Sequence, residues 1–294
     1  MFNLASYLEE RQRLVNRELA ARLPAEDERP SVLHTAMRYS ALAGGKRLRP
    51  VLVMAAAEAV GGSPDAALLP ALAVEVLHTY TLIHDDLPCM DDDDLRRGRP
   101  TSHKVYGEAN ALLAGDALLT LAFEWLASAS APPPYPPNQL ALELARAAGS
   151  RGVIGGQVED IAGTGATPTP AQVEYIHAHK TGMLIRAAVR IGAISAGAND
   201  HELAAITEYG TCTGLAFQIA DDILNAMSSP ELLGKPVGSD KVHGKSTWVA
   251  VHGLDEARFE AERLVPRAAT SIAGLKGSVE PLLALASHIV DRKT

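Results

Sequence analysis

The 294-residue sequence has few aromatic residues, two cysteines and no excess of basic charge. Aromatic residues make up 4% of the chain, whereas alanine and leucine, which are strong helix formers, dominate the apolar set. The composition therefore predicts an all-α fold. Two cysteines cannot build a disulfide framework, so we expect a reducing compartment. The formal net charge of −8 argues against a nucleic-acid partner, which requires a basic face.

Long apolar runs are also absent. No uninterrupted apolar stretch reaches the roughly 18 residues of a transmembrane helix, so the sequence predicts no membrane span. The first residues mix both charges in an amphipathic helical pattern, unlike a signal peptide. Together these features favour a soluble cytoplasmic protein.

Proline and glycine divide the chain into helical runs. Pro50 and Pro70 should open two of them at the first helical position. Pro88 should end or bend the second run after Asp85, so that Asp91 returns beside Asp85 from a loop. Helix patterns also cover residues 110–128, 138 to past 157, 170–196 and 200–222, and shorter helices are expected after 255. Thr169 should cap the helix that begins at Pro170. The proline-rich segment 131–137 predicts a stiff surface connector. Because the helices on both sides of it have broad apolar faces, we expect a single domain over residues 1–294.

Two acidic clusters carry the chemical signal. Six of the ten residues 85–94 are aspartates, and they follow an apolar helix at its C-terminal end, where negative charge is unfavourable. A solvated turn is the ordinary explanation of such a run, but cations would also neutralise it. In the second cluster, Gln218, Asp221, Asp222 and Asn225 share one helix face. Carboxylates are hard ligands suited to Mg²⁺, which often bridges to phosphates.

Basic residues accompany the acidic ones. Three arginines, Arg96, Arg97 and Arg99, follow the first cluster directly, and guanidinium groups match phosphate oxygens. The glycine-loosened basic segment 44–50 leads into a helix, whose N-terminus favours anions. Acidic residues that suit a metal ion lie close in sequence to basic residues that suit a phosphate. This combination predicts a Mg²⁺–diphosphate site.

These motifs resemble those of the trans-isoprenyl diphosphate synthases, and most closely the bacterial farnesyl diphosphate synthases. The resemblance spans nearly the whole chain and rests on GGKRLRP, LIHDDLPCMDDDDLRRGRPTSH, LAGDALLT, GGQ, HKTG, FQIADDIL and LGKPVGSD, in the family's order. It implies an all-α isoprenoid synthase bundle of roughly ten or more helices around a central cavity, usually a homodimer. The implied reaction joins isopentenyl diphosphate to an allylic diphosphate by ionisation, condensation and proton loss, with three Mg²⁺ ions.

The resemblance also assigns roles to individual residues. It implies metal ligands at Asp85, Asp86, Asp91, Asp221 and Asp222. It implies isopentenyl diphosphate contacts at Lys46, Arg49, His78 and Arg97, and allylic diphosphate contacts at Arg96, Lys180, Lys235 and Lys245. Thr181 and Gln218 match polar groups beside the forming cation, and with Arg96 and Lys180 they make up the expected catalytic set.

The resemblance implies that product length is set by the residues just before the first motif. Tyr80 and Thr81 lie about 6–8 Å below Asp85 along a helix. A bulky Tyr80 would form a floor that stops the chain at fifteen carbons (C15), as in the farnesyl synthases, although it could also be an ordinary core residue. The implied product is therefore farnesyl diphosphate, with geranylgeranyl or another short-chain prenyl diphosphate as the alternative.

The sequence departs from the family pattern at a few positions. The last acid of the second motif is replaced by Asn225, and Trp248 stands where tyrosine is common. A terpene cyclase, a non-catalytic partner subunit and a divalent-ion buffer are further alternatives. The basic residues argue against a cyclase and an ion buffer, and the retained aspartates argue against a partner subunit.

Overall fold

The computed structural model describes residues 2–227 and 246–291, which are almost entirely helical. Before the proline-rich connector lie α1 Leu4–Arg22, α2 Ser31–Ala41, α3 Leu48–Ala59, α4 Leu68–Asp85, α5 Ser102–Tyr106 and α6 Glu108–Ser128. A two-stranded antiparallel ribbon, β1 Leu95–Arg96 with β2 Arg99–Pro100, lies between α4 and α5. After the connector follow α7 Gln139–Ala148, α8 Val153–Gly163, α9 Pro170–Ile176, a π-helical turn His177–Gly182, α10 Met183–Ser195 and α11 Asp200–Met227. The last helices are α12 Trp248–His252, α13 Leu254–Ile272 and α14 Glu280–Asp291. The predicted all-α fold is confirmed.

Two proline-led helices begin earlier than the sequence predicts. Helix α3 starts at Leu48 and α4 at Leu68, so Pro50 and Pro70 occupy the third helical position instead of the first. The first four N–H groups of a helix have no intrahelical partner, so a proline there sacrifices no hydrogen bond. The predicted cap at Thr169 is present, since its side chain accepts a hydrogen bond from Gln172 N and Pro170 follows it.

The helix predicted from residue 138 past 157 is in fact two helices. Helix α7 ends at Ala148 and α8 begins at Val153, with a turn between them. A Cβ atom at Gly152 would overlap the carbonyl of Ala147, so glycine is required at this turn. The prediction was wrong here because helical periodicity persists across the turn.

The C-terminal third also differs from its prediction of short helices. Helix α13 continues for 19 residues through Pro266. Its buried face, which includes Ala257, Leu264 and Ile272, packs against α11. This packing offsets the cost of an internal proline.

One connected cluster of buried apolar side chains fills the bundle. Helices α3, α4 and α10 contribute the largest shares of it, and α6, α11 and α13 contribute smaller shares. The close approach of α10 to α3 depends on Gly192, where a Cβ would meet the carbonyl of Val53.

Among the described helices, only α6 is long and apolar enough to cross a membrane. It packs against α4 along Ala111, Ala114, Leu118 and Ala122, all fully buried. A core helix of a soluble protein passes the same test of length and composition, so α6 is weak evidence for a membrane span.

Candidate active site

The first acidic motif folds as a loop that returns to its own helix. Helix α4 ends at Asp85, and the backbone N–H of Asp91 donates to the carbonyl of Asp85 at 2.9 Å. Within the loop, Met90 N donates to the carbonyl of Leu87 at 2.8 Å. Pro88 is exposed at the turn. The prediction that the chain bends at Pro88 and brings Asp91 back beside Asp85 is confirmed.

The side chain of Asp86, the second aspartate of the motif, forms an ion pair with an arginine. It is buried and accepts a hydrogen bond from Arg96 Nε at 2.9 Å, and Arg96 also reaches Asp93 at 3.0 Å. Burial lowers the pKa of Arg96, but the hydrogen bond and charge of Asp86 outweigh it and raise the pKa overall. Arg96 therefore stays charged and neutralises part of the negative charge of the first acidic motif.

A buried ion pair that the sequence reasoning missed holds the basic loop. Arg47 adopts a left-handed conformation with φ 48° and donates to Glu75 Oε1 at 2.7 Å, Asn16 Oδ1 at 2.9 Å and the carbonyl of Ala41 at 2.7 Å. The clue was Glu75, a lone acid inside an apolar helix, because a buried carboxylate requires a cationic partner. Lys46 is exposed, and its carbonyl accepts a hydrogen bond from Gln12.

We call Arg49, His78 and Arg97, for which the resemblance implies isopentenyl diphosphate contacts, the basic wall. The charge of Arg97 acts on both Arg49 and His78, and Arg97 lines a small pocket with Arg96 and Arg99. The guanidinium of Arg97 lies over the loop and donates to the carbonyl of Gly44. A Cβ at Gly45 would overlap that guanidinium, and the φ of Gly45 is +112°. Burial lowers the pKa of Arg49 to about 10, and burial together with the charge of Arg49 holds the pKa of His78 well below its usual range. His78 is therefore neutral at pH 7.

The second acidic motif divides its two aspartates between two cavities. Asp221 lines the central cavity. Asp222 is buried in an adjoining pocket, where its carboxylate accepts hydrogen bonds from Trp248 N at 2.6 Å and Gln218 Nε2 at 3.1 Å and lies 3.2 Å from His177 Nε2. The sequence reasoning missed His177. The metal-ligand assignment of Asp222 stays a prediction.

The π-helical turn presents two of the predicted catalytic residues. Thr181 donates to Gln218 Oε1 at 2.7 Å, and Lys180 Nζ donates to Asp160 Oδ2 of α8 at 2.6 Å. A Cβ at Gly156 would overlap the backbone of Lys180, so the GGQ motif allows α8 to lie directly against this turn. Sequence periodicity gave no sign of the wider π turn or of the partner Asp160.

These elements enclose a central cavity of about 530 Å³. Its polar wall has the predicted residues Arg49, His78, Asp85, Lys180, Thr181, Gln218 and Asp221. Its apolar wall includes Met90, Val153, Ile154, Val158, Ile161, Leu184 and Phe217. Charged groups therefore converge beside an apolar chamber.

Tyr80 lies on the wall of this chamber and is 6% exposed. Its ring meets His84 edge-on with centroids 5.4 Å apart, and burial, aided by the charge of Asp85, raises the pKa of its hydroxyl. Thr81 also lines the cavity, and its hydroxyl donates to the carbonyl of His78 at 2.8 Å. The predicted floor residues are thus at the cavity, while Lys235 and Lys245 lie outside the described residues.

Within residues 2–227 and 246–291, no three acidic, histidine or cysteine side chains are grouped closely enough to hold a metal by themselves. The oxygen donors of Asp85, Asp91 and Asp221 still fit Mg²⁺, which binds through one or two carboxylates together with substrate phosphates and water.

Residues 30–277 match the polyprenyl synthetase family. The chain belongs to this family. A relative named heterodimeric geranylgeranyl pyrophosphate synthase large subunit 1, chloroplastic, from Arabidopsis thaliana is 46% identical over 99% of this chain and 80% of its own length. The chloroplastic geranylgeranyl pyrophosphate synthase of Capsicum annuum is 44% identical over 99% of this chain and 79% of its own length.

Solved structures of family members superpose closely on this prenyl synthase. An FPP/GFPP synthase from Zymomonas mobilis matches with a TM-score of 0.87 and 37% identity, covering 98% of this chain and 99% of its own. The geranylgeranyl pyrophosphate synthetase of Pyrococcus horikoshii matches with a TM-score of 0.88 and 32% identity, covering 98% of both chains. The isoprenoid synthase fold and the prenyltransferase class inferred from the motifs are confirmed.

Proposed function

We propose that this protein condenses isopentenyl diphosphate with an allylic diphosphate in a Mg²⁺-dependent reaction that releases diphosphate. The observation that carries the proposal is the central cavity, where Asp85 and Asp221 face the same space as Lys180, Thr181 and Gln218, beside an apolar chamber. A prenyl diphosphate has the same two parts, a charged head and an apolar chain.

Asp85, Asp91 and Asp221 would hold Mg²⁺. When bound, the ions stabilise the negative charge that develops on the leaving diphosphate. Lys180 and Arg96 add positive charge for the allylic diphosphate, and the pairing of Lys180 with Asp160 orients its ammonium group. Lys235 and Lys245 are proposed to act with them on the basis of the resemblance alone.

The basic wall would receive isopentenyl diphosphate. Arg49 and Arg97 supply guanidinium groups, whose forks match phosphate oxygens. His78, held neutral by its surroundings, can donate one hydrogen bond without adding charge. Lys46 lies exposed in the basic segment 44–50, which also contains Arg49.

The side-chain dipoles of Thr181 and Gln218 would stabilise the allylic cation. Thr181 and Gln218 are joined by a hydrogen bond at the cavity wall, so their oxygen atoms are fixed in place before substrate arrives. Preorganised dipoles stabilise charge without reorganising during the reaction.

For the product we propose geranylgeranyl diphosphate. The relatives from Arabidopsis thaliana and Capsicum annuum described above are named geranylgeranyl pyrophosphate synthases. In addition, Tyr80 narrows the cavity from α4, whereas α8 lines it with Ile154, Val158 and Ile161 over about two helical turns. A chain longer than fifteen carbons could follow this apolar side past the tyrosine. Farnesyl diphosphate is the second candidate, favoured by the buried Tyr80 ring itself.

A product assay tests the proposal. Purified protein is incubated with isopentenyl diphosphate, geranyl diphosphate and Mg²⁺, and the dephosphorylated products are sized. We expect a C20 alcohol that disappears with a chelator and with Asp85→Asn. A C15 alcohol would keep the reaction and select farnesyl diphosphate, and no product from folded protein would contradict the proposed reaction. The homodimer and the cytoplasmic location are further proposals that rest on the resemblance and the composition.

A further inference from the structure

A second cavity, of about 290 Å³, lies between α7, α10 and α11 and shares no lining residue with the central cavity. Three arginines line it, namely Arg146 from α7 and Arg186 and Arg190 from α10. Glu143 is the one carboxylate among its lining residues. We call this cavity the arginine pocket. Its excess of positive charge is unexpected in a chain with a net charge of −8.

The negative charge of Glu143 is committed to one of the three arginines. Arg190 donates to both carboxylate oxygens of Glu143 at 2.8 Å, and it also donates to Thr207 at 2.6 Å. Burial alone would raise the pKa of Glu143, but the hydrogen bonds from Arg190 outweigh burial and lower it. Glu143 is therefore ionised, and among the described arginines of the pocket it forms an ion pair with Arg190, while the charge of Arg146 lowers its pKa further.

The other two arginines lack such a partner within the described part of the chain. Arg186 is half-buried, and its one hydrogen-bond acceptor is Met183 Sδ at 3.0 Å, which is a weak acceptor. It stands one helical turn before Arg190, so like charges face each other. Burial and the charge of Arg190 lower the pKa of Arg186, which reflects this poor compensation. Arg146 is exposed at the edge of the same cavity.

We propose that the arginine pocket binds a small phosphoryl anion, either inorganic phosphate or diphosphate. Arg146 and Arg186 have no carboxylate hydrogen-bond partner within the described residues, and their guanidinium groups provide planar forks that match phosphate oxygens. The apolar lining consists of Ala147, Met183 and Ala187, which is too little for a prenyl chain. Met183 directly follows the π turn that carries Lys180 and Thr181, so one continuous helical rod borders both cavities.

Calorimetric titration of the full-length protein tests this site. Phosphate and diphosphate are titrated separately, with a chelator present and at constant ionic strength. We expect Arg186→Gln and Arg146→Gln to weaken one binding event by about tenfold or more, because each removes a charge-assisted hydrogen-bond donor. Arg151→Gln, an exposed arginine between α7 and α8 that does not line the pocket, is the matched control and should leave that event unchanged.

Arg49→Gln separates the arginine pocket from the catalytic cavity. The event assigned to the arginine pocket should persist in this variant, because Arg49 lines only the central cavity. The proposal is overturned if both pocket variants bind like the wild type, or if Arg49→Gln abolishes the only binding event. Should Arg186→Gln fail to fold by circular dichroism, the exposed Arg146→Gln alone decides. The anion that binds more tightly identifies the occupant.

Discussion

The first acidic motif lies in a loop, whereas the second lies on the continuous helix α11. In the loop, a backbone hydrogen bond from Asp91 to Asp85 closes the turn, and Arg96 from the following ribbon pairs with Asp86. On the helix, Asp221 and Asp222 are fixed by helical geometry. The contacts to Asp222 come from Gln218 of the same helix and from His177 and Trp248.

The difference shows two ways of placing aspartates beside one cavity. The loop carries its own compensating arginine within ten residues of sequence. Besides Gln218 of its own helix, Asp222 takes its partners from the π turn and from the first residue of α12. The second motif therefore depends on tertiary packing, and the first depends mainly on local sequence.

Removing one charge from each motif should produce the largest effect. We expect Asp85→Asn and Asp221→Asn each to lower kcat by about 100-fold or more, as for loss of a group that stabilises transition-state charge. The measurement is steady-state product formation at saturating Mg²⁺. Asp65→Asn, an exposed aspartate before α4, is the control and should retain wild-type activity. Near-normal activity of Asp221→Asn would mean that the first motif suffices.

Stability should distinguish the two neighbouring aspartates of α11. Asp222→Ala leaves Trp248 N, Gln218 and His177 without their buried acceptor, so we expect the free energy of unfolding to fall by about 1–3 kcal/mol. Asp221→Ala should lower stability less and activity more, because Asp221 lines the central cavity. Urea unfolding measures both variants. Equal losses of stability would show that the two carboxylates are anchored alike.

The ring of Tyr80 tests whether the chamber beside the first motif limits the product. Tyr80→Ala should shift the product distribution toward longer chains, because it removes the aromatic ring from the α4 side of the chamber. Tyr80→Phe keeps the ring and should leave the distribution unchanged. The measurement is chromatographic sizing of dephosphorylated products. Identical products from Tyr80→Ala and the wild type would show that Tyr80 is a core residue without a role in chain length.

Sequence reasoning reached the local features of the fold and site and missed the tertiary ones. The positions of proline and of capping residues predicted the loop at Pro88 and the cap at Thr169. The resemblance predicted that Arg49, His78 and Asp221 belong to one site, and they line the same cavity. The π turn did not, because its register is set by the packing of α8 and α11 around it and not by a periodic signal.

The missed partners share one physical origin. Arg47 with Glu75, His177 with Asp222, and Lys180 with Asp160 are pairs between residues at least 20 positions apart. A buried charge indicates that a partner exists, but only the fold shows which residue provides it. The same holds for the arginine pocket, whose three arginines come from two helices, α7 and α10, that are more than thirty residues apart in sequence.

The smallest expected effect concerns the one position where the second motif departs from the pattern. Asn225 stands one turn after Asp221 on α11, and an amide oxygen can bind a metal but carries no charge. Asn225→Asp adds a carboxylate there, so we expect the Mg²⁺ concentration for half-maximal activity to fall by about two- to fivefold, with a small change in kcat. Asn225→Gln keeps the neutral amide and controls for altered packing. If Asn225→Asp leaves the Mg²⁺ dependence unchanged, position 225 lies outside the metal site, and the second motif acts through Asp221 without it.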